Sequence, residues 1–413
     1  MINSFPRKGV HILLGTICLI LIWLIKLPAN SNTESAEHAR IESTVQEIMH
    51  MFNEYQHEDD KQLGRRFAGL VQDLITLDKL APQIIQKQWP DLNPYEREQF
   101  TEAIGVAIAS RVVSYLRSNN GVVNLILTNT QRKNSLTILQ YKLGDHKLTT
   151  YLYKDDIGEW KLRNVKLDKY SIRQYYYGFC KNLLDDYSLA NTIAELKQSD
   201  YIVLEDFESS TIGALPYRWA WKDKDADRPK PYRVQQEFNN KFLAATDEGE
   251  SVILGKDTKW NLHEYPYISF RWRGHHIPTG GDERFGKTVD SAAGIYFTVK
   301  MKFGLVPESI KYVWSSTLPV GSAMRRSGVG RPWMIVAESG GDDLGEWHTY
   351  VFNLYEAYKA TFGGDPPKKT VGIGILSDAN STKSKAYADY DDIRALKHAD
   401  CAGSGVSQIL EAE

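Results

Sequence analysis

WKLRNVKLDKYSIRQYYYGFCKNLL, residues 160–184, changes period half-way along. Alternation in its first part predicts a strand, with Trp160 and Leu162 on one face and Val165 and Leu167 on the other. A bulge near Arg163-Asn164 would bring the two apolar pairs back to one face. Ser171 and Gln174 then form the S-x-x-Q pattern of a capping box. The helix it opens sets Ile172, Tyr175, Tyr176, Phe179 and Leu183 along one side.

Upstream, VVNLILT (122–128), NSLTILQYKL (134–143) and KLTTYLYK (147–154) are further strand candidates. A longer loop is expected over 129–133, and short turns at Gly144-Asp145 and Asp156-Ile157-Gly158. Connections this short make an antiparallel meander. Before it the period is helical. Ile41, Val45, Ile48, Met49 and Phe52 share one face, and 63–74 and 77–88 are two more helical pieces. Asn93-Pro94-Tyr95-Glu96 reads as N-cap, first-turn proline and capping-box partner. The helix that follows buries Phe100, Ile104, Ile108, Val112 and Leu116, and Ser118 to Gly121 stop it. After the opening stretch, Ser188 caps a short helix holding Ala190, Ile193 and Leu196. The expected architecture is helices laid on one face of a four-stranded sheet.

From about Tyr201 the texture changes. Helical periodicity fades and Gly and Pro become frequent. Seven of the ten tryptophans lie here: Trp219, Trp221, Trp260, Trp272, Trp314, Trp333 and Trp347. Eleven short strand candidates run from YIVLEDF to AYADYDDIRAL, interrupted by one helical piece over 354–362. Such spacing predicts an all-β sandwich or jelly roll.

The chain has 413 residues, 42% hydrophobic and 25% charged, with a formal net charge of -2. That length suggests two domains, and the balanced charge argues against nucleic acid as the main partner. Walker, GxGxxG, HExxH, GxSxG and paired CxxC patterns are absent from the sequence, which counts against the commonest catalytic classes. At the N-terminus Arg7 and Lys8 precede sixteen mostly apolar residues, Val10 to Ile25, and then a polar run. This is the pattern of an export signal, and either a cleaved signal peptide or a retained inner-membrane anchor fits it. Export leaves Cys180 and Cys401, which either pair or remain free thiols.

Several of these residues together resemble a known family. They are Trp89 with NPYEREQF (93–100), the helix ending in VVSYL, and the run from Tyr151 through the opening stretch to Ala194-Glu195-Leu196. In order and spacing they are similar to the MlaC, or toluene-tolerance, family of periplasmic phospholipid-binding proteins, over roughly residues 40–198. The resemblance implies an α+β, lipid-carrier-like fold of helices on a curved antiparallel sheet around an apolar cavity. It also implies transfer of phospholipid between membranes, with transport complexes of the cell envelope as partners. IIQKQW (84–89) and DKYS (168–171) depart from the family pattern and bear on cavity shape and docking. Burial of acyl chains, at about 0.8 kcal/mol per CH₂, favours any apolar tunnel. Tyrosine suits its rim. The expected lining is Tyr151, Tyr153, Trp160, Tyr175, Tyr176, Phe179, Ile104 and Ile108, which could equally fill a solid core.

In the second half, DFE (206–208), FRWRG, DSAAGIYF, YVWSS, SDANST and AYADYDDI resemble a bacterial domain-of-unknown-function family with galactose-binding-like β-sandwiches, over about 203–398. If the first and last strands pair, Asp206, Glu208, Asp389, Asp391 and Asp392 come together. Such a cluster suits calcium, with Asp392 foremost, or is simply a charged edge. The tryptophans stack on sugars or form core. His275-His276 are expected to precede a flexible loop and to bind no metal alone. The expected organisation is an N-terminal signal or anchor (1–36), a lipid-binding domain (37–199), a sandwich (200–399) and a tail (400–413). The expected function is non-catalytic phospholipid carriage in the periplasm, with the sandwich binding glycan, lipopolysaccharide or protein to localise the carrier. The alternative is an envelope enzyme or binding protein acting on polysaccharide.

Overall fold

The computed structural model describes residues 47, 50–118, 125–143, 146–402 and 408–410. The N-terminal segment, most of the first expected helix, the helix stop at 119–121 and the turn at 144–145 lie outside the described residues. The fold is β-rich and multi-sheet, mostly antiparallel, with a few helices. It divides into two compact units: residues up to Asn182 with Glu195–Gln198, and Leu183–Ala194 with Ser199 onward.

The first unit holds helices α1 (Asp60–Leu74), α2 (Leu77–Ile84) and α3 (Pro94–Ser118). They are followed by β1 (Leu125–Lys133), β2 (Leu136–Leu143), β3 (His146–Lys154), β4 (Trp160–Leu167), the two-residue β5 (Tyr170–Ser171) and α4 (Ile172–Leu184). The five strands form one antiparallel meander in sequence order. Residues 129–133, expected to be loop, continue β1 and pair from Asn129↔Gln140 to Lys133↔Leu136. Their side chains are exposed, so no apolar alternation announces the strand. Asn134, at φ +55°, makes the tight turn instead.

Both capping boxes form. The Asn93 amide donates to Glu96 Oε2 at 3.1 Å and the Glu96 amide to Asn93 Oδ1 at 2.9 Å. The Ser171 amide donates to Gln174 Oε1 at 3.2 Å and the Gln174 amide to Ser171 Oγ at 3.1 Å. In α3, Phe100, Ile104, Ile108, Val112 and Leu116 are all buried, and residues 103–110 are buried all round. An α-helix apolar on every side is a core element. The buried stripe of α4 is Ile172, Tyr176 and Cys180, while Tyr175, Phe179 and Leu183 are half-buried. Cys180 and Cys401 are both free thiols. Burial pushes the Cys180 thiol up to about 12.

In the second unit α5 (Leu189–Lys197) leads into β6 (Tyr201–Glu205). One sheet contains β7 (Tyr232–Glu237), β8 (Asn240–Asp247), β10 (Tyr267–His276), β15 (His348–Asn353), β17 (Ala386–Leu396) and β18 (Gln408–Leu410). The other contains β9 (Leu254–Asp257), β11 (Ala293–Lys302), β12 (Val306–Ser315), β13 (Ala323–Met324), β14 (Trp333–Ser339) and β16 (Gly372–Ile375). Helix α6 spans Leu354–Phe362. The first strand pairs with the last long one, β6 with β17, through Glu205↔Ile393 and Tyr201↔Leu396. The sheets face each other through one aromatic core. The Tyr312 and Phe352 ring centroids are 3.9 Å apart, and Phe270 lies 6.3 Å from Phe297. Trp260, Trp272 and Trp314 are at most 1% exposed. They are therefore sandwich core, and their faces are not open for stacking on a sugar.

Helices α1 and α3 touch at Gly64. A Cβ there would lie 2.3 Å from Ser110 Oγ and 2.9 Å from Ser110 Cα, whereas a Cβ at Gly69, in the same helix, meets nothing within 4 Å. Gly→Ala inside a helix ordinarily stabilises by up to about 1 kcal/mol. Gly69→Ala should do so. Gly64→Ala should instead destabilise by about 1–3 kcal/mol through overpacking. Urea unfolding followed by circular dichroism will separate the two variants.

Candidate functional site

The bulge in β4 builds the most distinctive surface of the first unit. Tyr151 pairs with Asn164 and Leu152 with Leu162, so Arg163 is the extra residue. The bulge returns Leu162 and Val165 to the same buried face as Leu139, Leu148 and Leu152. It also sets two consecutive side chains, Arg163 and Asn164, opposite Tyr151. Here a cavity of about 210 Å³ opens, lined by Leu80 and Gln83 of α2, Leu136, Tyr151, Arg163, Asn164, Lys166 and, from α4, Arg173. Helix α2 reaches this side of the sheet. Thr76 Oγ1 hydrogen-bonds Tyr153 Oη, and Lys79 Nζ lies 5.0 Å from the Tyr153 ring centroid. The expectation of helices on one face alone is thus corrected.

The cavity is strongly basic. Lys166 Nζ lies 5.4 Å from the Tyr151 ring centroid. Among the described residues, Arg163, Lys166 and Arg173 have no carboxylate partner. Asn164 Oδ1 is buried and accepts no hydrogen bond. The buried, unpartnered acceptor costs free energy, while Arg163 and Arg173 beside it are exposed to solvent. An anion that also carries a donor would meet both the arginines and the acceptor.

Of the eight residues expected to line a lipid cavity, Tyr151 does so. Tyr153 and Trp160 are half-buried on β3 and β4, with Lys154 Nζ 5.4 Å from the Trp160 ring. Tyr175 and Phe179 stack at 6.4 Å, and the Tyr175 ring meets Tyr176 edge-on at 5.1 Å. Ile104, Ile108 and Tyr176 are at most 3% exposed, inside filled core. The cavity is smaller than the roughly 300–1,000 Å³ of usual ligand pockets. The site residues not anticipated are Arg163, Asn164, Lys166 and Arg173. All four lie in the opening stretch, and the bulge was the signal that could have found them.

The expected calcium cluster is an ion-pair layer. Asp391 takes Arg271, and Asn240 Nδ2 at 2.8 Å. Asp392 takes Arg271 Nε at 3.2 Å and Arg394 at 2.7 Å. Asp389 takes Arg273 at 2.8 Å and lies 2.7 Å from His275 Nε2. Glu208 Oε1 accepts the Lys241 amide at 2.8 Å, and Asp206 Oδ1 accepts the Glu208 amide at 3.2 Å. Their oxygens meet cations and amides instead of converging on one point, and among the described residues no such group could hold a metal. His275 and His276 end strand β10, directly before the connection that follows it. Trp347 covers the layer, with Arg271 and Arg273 each 4.7 Å from its ring centroid.

Other buried acids, invisible to pattern reading, tie loops down. Glu205 takes Trp219 Nε1 at 2.6 Å and Lys256 Nζ at 2.8 Å. Glu283 takes Ser291 Oγ at 2.8 Å and Ser315 Oγ at 2.7 Å. Asp290 takes the Thr382 amide at 2.6 Å. Asp247 takes the amides of Ser251 at 2.8 Å, Ala379 at 2.9 Å and Gly249 at 3.1 Å.

Residues 218–394 match a family described as "Protein of unknown function (DUF3047)", which covers less than half of the chain. No curated protein matches the chain by sequence. Among solved structures, a phospholipid-binding protein from Ralstonia solanacearum in complex with a phospholipid is similar at 10% identity. It covers 38% of this chain and 94% of its own, with a TM-score of 0.28. A carbohydrate-binding module of the β-sandwich superfamily is similar at 10% identity over 66% of this chain and 85% of its own, TM-score 0.23. The xyloglucanase domain of NopAA from Sinorhizobium fredii, in complex with cellobiose, is similar at 10% identity over 45% of this chain and 96% of its own, TM-score 0.26.

Within the matched region Asp247 makes stability depend on pH. Burial, with Asp378 and Glu250 adding to it against the backbone amides, raises its carboxyl to about 6. Burial likewise raises Asp391 to about 6 and lifts Asp378. In the unfolded chain these groups titrate near 3.9. The folded state therefore binds these protons more tightly, and stability rises as pH falls from about 7 towards 4. The thermal midpoint should be higher at about pH 5.5 than at about pH 7.5. Asp247→Asn should flatten that slope. A midpoint that falls over this range contradicts the assignment.

Proposed function

We propose that the first unit is a phospholipid-binding carrier, exported to the periplasm, that passes lipid between membranes without catalysing a reaction. The observation that carries this reading is the cation-rimmed cavity. Arg163, Lys166 and Arg173 suit a phosphodiester, and arginine holds phosphate oxygens through paired N–H donors. The unpartnered Asn164 Oδ1 suits a donor on the headgroup, an ammonium or a hydroxyl. Tyr151 and Leu136 supply the apolar side where the glycerol backbone begins.

The cavity has room for a headgroup and not for two acyl chains. In this reading the acyl chains lie outside the cavity. The inner face of the sheet, opposite the cavity, carries a separate irregularity. Tyr141 Oη and Thr150 Oγ1 are buried on the inner face with no hydrogen-bond partner. An interior selected only for close packing would carry Phe and Val there, since an unmet buried hydroxyl costs about 1–3 kcal/mol. The MlaC resemblance of residues 40–198 agrees with the same lipid class. The sandwich then serves as a binding or localisation module. Trp260, Trp272 and Trp314 are buried and offer no stacking face, whereas Trp221 is exposed and Trp333 and Trp347 are half-buried.

The full chain purified gently from a Gram-negative host should carry phospholipid, read by mass spectrometry after extraction. Arg163→Ala with Arg173→Ala should lower occupancy at least about tenfold, from about 1.5–3 kcal/mol per charged hydrogen bond. The melting profile should stay close to that of the parent. A lipid-free parent chain, or undiminished occupancy in the folded double variant, rejects the proposal.

A further inference from the structure

The hairpin joining β11 to β12 turns through Phe303 and Gly304, at φ +53° and +72°. Two successive positive values mark a turn whose first position normally takes Asn, Asp or Gly. A bulky ring in that region is strained. Phe303 is nevertheless 86% exposed, and Leu305 beside it 82%. The ring is almost fully open to solvent, with Lys302 Nζ 5.8 Å from its centroid. Burial within the chain therefore does not account for phenylalanine at this tip.

Met301 adds an exposed apolar side chain on the same hairpin. Val329 is 85% exposed, and its neighbour Gly330 lies against Pro307 and Val306 at the hairpin base. Lys300 and Lys302 stand on the same hairpin, Arg331 follows Gly330, and the Arg325 guanidinium lies 5.2 Å from the Phe362 ring centroid. Among the described residues Lys302, Arg325 and Arg331 have no carboxylate partner, and Lys300 has Glu308 at 4.0 Å. Arg325 Nε donates to the Arg331 carbonyl at 2.9 Å, which holds the two arginines on one loop.

We propose that this hairpin is a membrane-surface anchor for anionic phospholipid. Phe303 and Leu305 enter the interfacial zone, and the lysines and arginines meet the headgroup phosphates. An apolar tip beside unpaired cations is complementary to an anionic bilayer. The proposal rests on the second unit alone and is independent of the cavity in the first.

Hydrogen exchange of the full chain on vesicles tests it, because the readout is local to the hairpin. On phosphatidylcholine vesicles with about one-third phosphatidylglycerol, exchange over residues 301–306 should slow at least about fivefold, and the slowing should weaken with salt. Pure phosphatidylcholine should leave it nearly unchanged. In the variant Phe303→Asn with Leu305→Ser the slowing should vanish. Asn tolerates positive φ, so the variant should melt no lower than the parent. No slowing on either vesicle, equal slowing on both, or slowing retained in the variant overturns the proposal. Slowing that grows with protein concentration without vesicles also overturns it and assigns the patch to self-association.

Discussion

Strand β4 has to pair with β3 while holding one residue more than β3 offers. The surplus falls on Arg163. Without it Val165 would point away from Leu162, and the sheet would lose half of its inner face along this strand. With it, both leucine and valine are buried, and two polar side chains are pushed together on the opposite face. Lys166 continues that face, and the Ser171–Gln174 box turns the chain into α4, where Arg173 on the first turn joins the same cavity. A single backbone irregularity thus serves the core and the binding surface at once.

The second unit depends on a different device. Its two sheets are held by a continuous aromatic core around Phe270, whose ring centroid lies within 6.3 Å of Trp272, Phe297, Tyr312, Tyr350 and Phe352. The loops over that core are tied down by buried carboxylates that accept backbone amides. Such groups satisfy amides that no strand pairs, so irregular chain can be buried at low cost. At Asp247 the accepted amides pull the carboxyl down but do not offset burial, which still raises it to about 6. The outer layer of arginines and aspartates is a structural seal under Trp347, with its charges already mutually neutralised.

Local signals were read reliably where they are local in physics. The caps at Asn93 and Ser171, the helix over 354–362, the bulge near Arg163 and eleven of the thirteen strands described in the second unit follow from periodicity and hydrogen-bond chemistry within a few residues. The polar half of β1 escaped because a strand exposed on both faces has no alternation. The stripe of α4 was displaced by one position: Cys180, a small apolar side chain, was passed over in favour of the larger rings.

Which partner each side chain meets was decided only in three dimensions. Asp391 and Asp392 are equally good calcium ligands and arginine partners on paper; the pairing of β10 with β17 places Arg271 opposite Asp391 and decides between them. Trp272 and Trp314 lie in alternating strands, which favours core over a sugar-stacking face, and the facing sheets bury them. Phe303 sits in a turn at positive φ and is 86% exposed. The sequence by itself determined the elements and their order, because helix caps, turns and alternation act over a few neighbouring residues. Tertiary structure decided the cavity, the ion pairs and the exposed tip, because these depend on contacts between residues far apart in the chain, as in Arg271 and Asp391, 120 positions apart.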